Sequence, residues 1–250
     1  MSTYRIENCA GSAESARRAE LGGAYRVELC AGLPEGGTTP SYGEILTARR
    51  AISIKLNVII RPRSGDFLYT PIEVEAMLAD IRMARELGAD GIVVGCLTAD
   101  GAVDKPLLRR FVEAAEGLPV TFHRAIDVCQ DRAQALEDII EAGCARVLTS
   151  GGAASAPEGA DAIAALVKQA AGRIIIMPGA GVTPENVADL SRKTGAREFH
   201  FSGRTAEPSP MRYRHEGVSM GGTVTIDEYA YLFTDPKKIR QAVEALQALE

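Results

Sequence analysis

Nowhere in this chain do apolar residues run for the ~18 positions that a membrane-spanning helix needs, so none is expected. The opening Met1-Ser2-Thr3-Tyr4-Arg5 enters a strand pattern at once and offers no apolar signal segment. Five cysteines, odd in number and never close together, do not read as a disulfide framework. No Cys-x-x-Cys, Met-rich tract or His-x-x-x-His is present, which removes a surface metal-transfer motif. No Walker loop and no complete G-x-G-x-x-G occurs either. Positive charge is in deficit: 28 Lys and Arg against 33 Asp and Glu give a net charge of -5 and a pI near 5.4. That balance argues against a nucleic acid or an anionic membrane as the main partner. The expected compartment is the reducing cytoplasm.

What is present is alternation. The 250 residues are 46% hydrophobic and 24% charged, as expected of one soluble α/β domain over 1–250. Strand patterns fall at 5–9, 26–30, 55–61, 91–94, 120–123, 146–149, 173–177 and 198–202. Helix-period segments lie between them, such as 12–21, 71–87, 105–116, 133–142, 160–171 and 184–193. Strictly alternating units build a parallel sheet with helices outside it, and eight in this length predict a (β/α)8 TIM barrel.

A weak repeat supports closure. Leu21-Gly22-Gly23-Ala24, Leu87-Gly88-Ala89-Asp90, Ala142-Gly143-Cys144-Ala145 and Thr194-Gly195-Ala196-Arg197 precede every second strand. Each glycine falls where a helix ends and positive φ is needed. A period of two units suits an even-stranded barrel better than an open doubly wound sheet, although the latter gives similar alternation. The 203–234 segment reads as a long loop, a lid or an oligomer contact. A closing helix over 236–249 follows, with Thr234 or Asp235 as N-cap.

In such a barrel the active site lies at the C-terminal ends of the strands. Side-chain parity then selects Glu7 and Cys9, Glu28 and Cys30, Arg61, His123, and His200 with Ser202 as one inward set. The stretch Val120–Asp127, ending in His123, Arg124 and Asp127, is its clearest instance. Two carboxylates, a guanidinium and two imidazoles at one mouth suit acid–base catalysis, so Glu7, Glu28, Arg61, His123 and His200 are the candidate catalytic residues. The alternative is an interior that only neutralises itself, Glu28 against Arg61 for instance. Arg63, beyond Pro62, either joins Arg61 on an anion or pairs with Asp66 at the surface. The turns after the last three strands contain Ser150, Gly151 and Gly152, then Gly179 and Gly181, then Ser202 and Gly203. They are candidate anion-binding backbone, with plain turn geometry as the alternative. Cys9 and Cys30 end adjacent strands and could hold a soft ion such as Cu(I); otherwise they are small buried apolar residues.

Together these motifs resemble one family. Arg26-Val27-Glu28-Leu29-Cys30, Glu35-Gly36-Gly37-Thr38-Thr39-Pro40-Ser41, Ile60-Arg61-Pro62-Arg63 with Gly65-Asp66-Phe67 and Tyr69, and Thr121-Phe122-His123-Arg124-Ala125 are similar to the CutC-type copper homeostasis proteins. So are Leu148-Thr149-Ser150-Gly151-Gly152, Met177-Pro178-Gly179 and Glu198-Phe199-His200, a likeness running from about Arg5 to Arg204 and including the C-terminal helix. The resemblance implies a cytoplasmic, homo-oligomeric barrel that binds copper, and it favours Cys9 and Cys30 as ligands. Asn8 and Ala10-Gly11 depart from the usual flanks of the first-strand cysteine, and Ala180 and Gly203 stand where glycine and alanine are common. The acid–base set points to a second reading, a barrel enzyme acting on a small anionic or phosphorylated substrate.

Overall fold

Residues on alternate strand positions enter two different environments, and that division shapes the molecule. The computed structural model describes residues 3–215, 217, 218, 220 and 226–250. Its parallel strands are β1 (Arg5–Ala10), β2 (Arg26–Leu29), β3 (Lys55–Ile59), β4 (Gly91–Val94), β5 (Val120–Phe122), β6 (Arg146–Thr149), β7 (Ile175–Pro178) and β8 (Glu198–Phe201). Hydrogen-bonded neighbours follow the order β7-β6-β5-β4-β3-β2-β1-β8, and β7 packs beside β8 to bring the sheet round on itself. This is the expected TIM barrel. Ile6, Val27, Leu29, Leu56, Val58, Ile92, Val94, Phe122, Val147, Ile176 and Phe199 all belong to the large apolar core. They alternate with buried Glu7, Arg26, Glu28, Asn57, Thr121, Arg146, Glu198 and His200. The apolar core therefore lies between sheet and helices, and the inside of the ring is largely polar.

The helices are α1 (Ala13–Leu21), α2 (Tyr42–Ala51), α3 (Pro71–Glu86), α4 (Lys105–Ala114), α5 (Arg132–Glu141), α6 (Ala160–Ala170), α7 (Val187–Thr194) and α8 (Pro236–Gln247). Helix α2, absent from the predicted segments, fills the place between β2 and β3, with Ser41 accepting a hydrogen bond from the Glu44 N–H. Thr70 and Glu73 form a capping box at α3, and Asp235 rather than Thr234 caps α8. Gly88 and Gly143 take φ of +85° and +91° at the predicted helix exits. Helix α7 starts later than expected because Asn186 closes a turn, accepting from the Thr183 N–H and donating to Gly181 O.

The 203–234 segment is not a plain loop. Strands β9 (Arg204–Pro208) and β10 (Ala230–Thr234) pair antiparallel at its two ends. Arg18 of α1 ties this hairpin down by bonding Glu207 and lying over the Phe233 ring. The predicted lid or oligomer contact thus falls partly on this hairpin and partly outside the described residues.

Candidate active and metal-binding site

Parity places the predicted residues as expected. Cys9, Glu28, Cys30, Arg61, His123, His200 and Ser202 all line one cavity of about 490 Å³ at the C-terminal mouth of the ring. Glu7 shares their face but lies a level below, 1% exposed and outside that lining. Beneath the cavity, Glu7 accepts from Arg26, while Arg26 and Arg146 both donate to Glu198 at 2.8 and 2.7 Å. The network of Arg26, Arg146 and Glu198 was not anticipated. Its signal was available: Arg26 and Glu198 stand two residues before Glu28 and His200, on the same strand face.

Glu7 connects this lower network to the cavity. Its Oε1 accepts from His200 Nδ1 at 2.8 Å, and His200 Nε2 lies 3.7 Å from Glu28 Oε2. Burial disfavours ionising Glu7, yet Arg26 and His200 together hold its carboxyl well below the usual range. Burial also opposes the His200 imidazolium. Glu28, Cys9 and Glu7 outweigh it and raise the His200 pKa well above normal. For Glu28 burial outweighs the opposing His200 charge and, with the neighbouring Cys9 and Glu7 charges, pushes its carboxyl up to about 8. Its Oε1 is buried without a hydrogen-bond partner among the described residues.

The two cysteines meet. Cα pairing sets Cys9 opposite Glu28, not opposite Cys30, so the positions are offset by two residues. The stagger still leaves the sulfurs 3.8 Å apart, and Cys30 Sγ lies 3.4 Å from Glu28 Oε2. Cys9 Sγ, Cys30 Sγ and a Glu28 carboxylate oxygen all fall within 4.8 Å of one another. Hydrogen bonding with Cys30 lowers the Cys9 pKa far below that of a free thiol, with help from His200. The same contact, with burial, raises Cys30. One thiolate beside a thiol and a carboxyl group is a donor set that suits a soft cation.

Arg61 does not neutralise Glu28. Its Nη atoms donate to the carbonyls of Glu35, Gly37 and Gly65 at 3.0, 3.0 and 2.9 Å. Its Nε is buried without a partner among the described residues. His123 Nδ1 accepts from the Ala125 N–H at 3.2 Å, which places the proton of the neutral ring on Nε2; that atom is also buried without a partner. Burial, then the nearby Arg61 charge, lowers the His123 pKa to about 3, so the ring is neutral. Gly95 makes this placement possible, since a Cβ there would run into His123 Cε1 and Nδ1. Phe67, from the loop after β3, lies over both groups, 4.9 Å from the His123 ring centre and 5.2 Å from Arg61 Cζ. No sequence periodicity marked Phe67.

The candidate anion-binding residues divide. Arg63 is absent from the cavity lining; it bonds Glu73 at 2.5 Å, Asp66 at 3.1 Å and Leu68 O at 2.8 Å, so it organises its own loop. The Ser150–Gly152 turn holds a carboxylate, but that of Asp127, which accepts from Ser150 N and Oγ, Gly152 N and Thr149 Oγ1. Gly151 N is likewise taken up by Thr149 Oγ1 at 2.9 Å. Arg124 is neutralised by the same Asp127 at 2.8 Å. Gly179 N donates to Thr149 O within the sheet, while Ala180, Gly181 and Ser202 remain at the cavity wall. Gly203, at φ +53°, turns the chain from β8 into β9, and its carbonyl accepts from Asp235 N.

Comparison with known proteins agrees with this fold. Residues 4–205 match the CutC family. A CutC protein of Bacteroides thetaiotaomicron is 55% identical over 249 residues, covering 99% of this chain and 100% of that one. A human protein named copper homeostasis protein cutC homolog is 48% identical over 237 residues, covering 95% and 87%. The crystal structure of a CutC from Streptococcus agalactiae superposes with a TM-score of 0.77 at 36% identity, covering 80% of this chain and 98% of that one. A thiamine phosphate pyrophosphorylase from Pyrococcus furiosus, 13% identical with a TM-score of 0.61 over 99% and 97% of the two chains, shares the fold alone. With the barrel fold, the family match over residues 4–205 and these relatives in agreement, the chain belongs to the CutC family.

Proposed function

We propose that this chain serves copper homeostasis by binding Cu(I) at the mouth of the barrel through Cys9 and Cys30. The observation that carries the reading is the 3.8 Å approach of the two sulfurs, with a Glu28 oxygen in the same cluster. Thiolate sulfur selects soft monovalent copper over the hard cations that carboxylates alone would favour. The His200 imidazolium, favoured by its surroundings, offsets the negative charge that such a site develops. Five free cysteines accord with a reducing cytoplasm. The family relationship supports an oligomeric assembly, with the β9–β10 hairpin as its contact.

Competition titration of the reduced protein against a Cu(I) chelator tests the site. Replacing both residues, Cys9→Ser with Cys30→Ser, should weaken binding by more than the roughly 10–100-fold that outer-shell changes cost. Undiminished affinity in the double variant would place copper elsewhere.

A second reading, that of an acid–base enzyme on a small anion, is favoured by a separate observation. Glu28, Arg61 and His123 each present a buried polar atom without a partner around one cavity. Unsatisfied buried groups are costly and cluster where a ligand completes them. In this reading Glu28 exchanges a proton with the substrate, the neutral His123 donates a hydrogen bond to it through Nε2–H, and Arg61 balances developing charge. Its test is turnover of a metabolite panel by copper-free protein, abolished by Glu28→Ala.

A further inference from the structure

Buried guanidinium groups in this barrel are of two kinds. Arg26 and Arg146 rest against Glu7 and Glu198. Arg61 is equally enclosed, 6% exposed, yet among the described residues no carboxylate pairs with it. Carbonyl oxygens solvate a cation but leave its net charge standing, which is unfavourable away from water. Its Nε–H also lacks an acceptor. The second orphan, the Nε2–H of His123, is the same kind of group: a donor, buried, with nothing to donate to. Both residues line the cavity, and both lie against one face of its wall, the ring of Phe67.

We infer that this wall is a subsite for the carboxylate end of a small organic acid, accepting from Arg61 Nε–H and His123 Nε2–H and supplying the missing counter-charge. The inference rests on the acid–base reading above and deepens it by naming the substrate class. A carboxylate fits better than a phosphate because its two oxygens match the two unpartnered N–H groups, while the anion-holding backbone nearby, at Ser150 and Gly152, is already filled by Asp127. Leu33, Ile59, Leu148 and Val182 supply apolar walls for the rest of the molecule. Phe67 lies beside both groups, and the proposed ligand reaches the two N–H groups as that ring turns outward.

Isothermal titration of the reduced, full-length chain with pyruvate, lactate, malonate and acetate, and separately with inorganic phosphate, tests the subsite. Nitrogen-15 NMR of the histidine side chains is the second readout and needs no variant. Saturable binding of at least one of the carboxylates is expected, with movement of the His123 Nε2–H resonance. Arg61→Lys and His123→Phe should each weaken that binding by about tenfold or more, the loss typical of a charge-assisted hydrogen bond. Carboxylates that give neither heat nor movement of the His123 resonance would overturn the inference, as would saturation by phosphate alone. Carboxylate binding without turnover would leave the subsite standing and remove the acid–base reading.

Discussion

Two levels of the same barrel treat buried charge in opposite ways. At the lower level Arg26, Arg146, Glu7 and Glu198 satisfy one another, and Asn57 adds a contact to Glu7 at 3.4 Å. At the upper level Glu28, Arg61 and His123 keep polar atoms without partners, and Cys9 and Cys30 face each other in a cavity. Both levels bury carboxyl and guanidinium groups. The difference is completeness: the lower network is closed on itself, whereas the upper one leaves polar atoms that the proposed ligand would complete. Glu7 belongs to the first and, through His200, props the second.

Breaking the lower level should have the largest effect on stability. Glu198→Ala leaves Arg26 and Arg146 short of a counter-charge, and such a change costs about 3–5 kcal/mol. Urea unfolding measures it; a loss under about 1 kcal/mol would mean that the lower network is not structural. Gly95→Ala should come next, at roughly 1–3 kcal/mol, because the added methyl displaces His123. A variant as stable as the parent, with the His123 resonances unmoved, would show that Gly95 does not set this ring's position.

Acidity separates two upper-level groups by sign. His123 titrates at about 3 in the fold against an ordinary 6.5, so stability falls as pH drops through that interval. Glu28 titrates at about 8 against an ordinary 4.5, so its contribution is present at low pH and is lost as pH rises through that interval. Between pH 4.5 and 6.5 the two slopes oppose each other. Glu28→Gln should therefore expose a loss of about 1.4 kcal/mol per pH unit on acidification, and His123→Phe the reverse. Unfolding curves across that window check both, and parallel slopes in the two variants would refute the assignment. Smallest is Ala180→Gly, which relieves a non-glycine residue at φ +72° and should stabilise by about 0.5–1 kcal/mol, visible as a raised Tm.

Much of this was legible in the chain. Strand parity brought Glu28, Arg61, His123, His200 and both cysteines to one mouth, because a period of two survives any uncertainty in strand ends. Strand limits were less secure: the predicted strand at 173–177 begins at Ile175, since Arg173 N still closes a turn on Ala170 O. Parity fixes a face but not a depth, so Glu7 was grouped with the mouth although it sits below it. Nor does sequence say which partner a donor finds. The Ser150–Gly152 turn has the composition of an anion site, and only the three-dimensional return of Asp127 shows that its anion is internal. Phe67 lies on an irregular loop, where no periodicity reports which way a side chain points.

Copper K-edge absorption spectroscopy on reduced protein loaded with stoichiometric Cu(I) reaches the central claim most directly. A coordination shell containing sulfur, lost when Cys9 and Cys30 are both replaced by serine, is the predicted result. A shell of nitrogen and oxygen alone, or a sulfur shell that persists in the double variant, would contradict it.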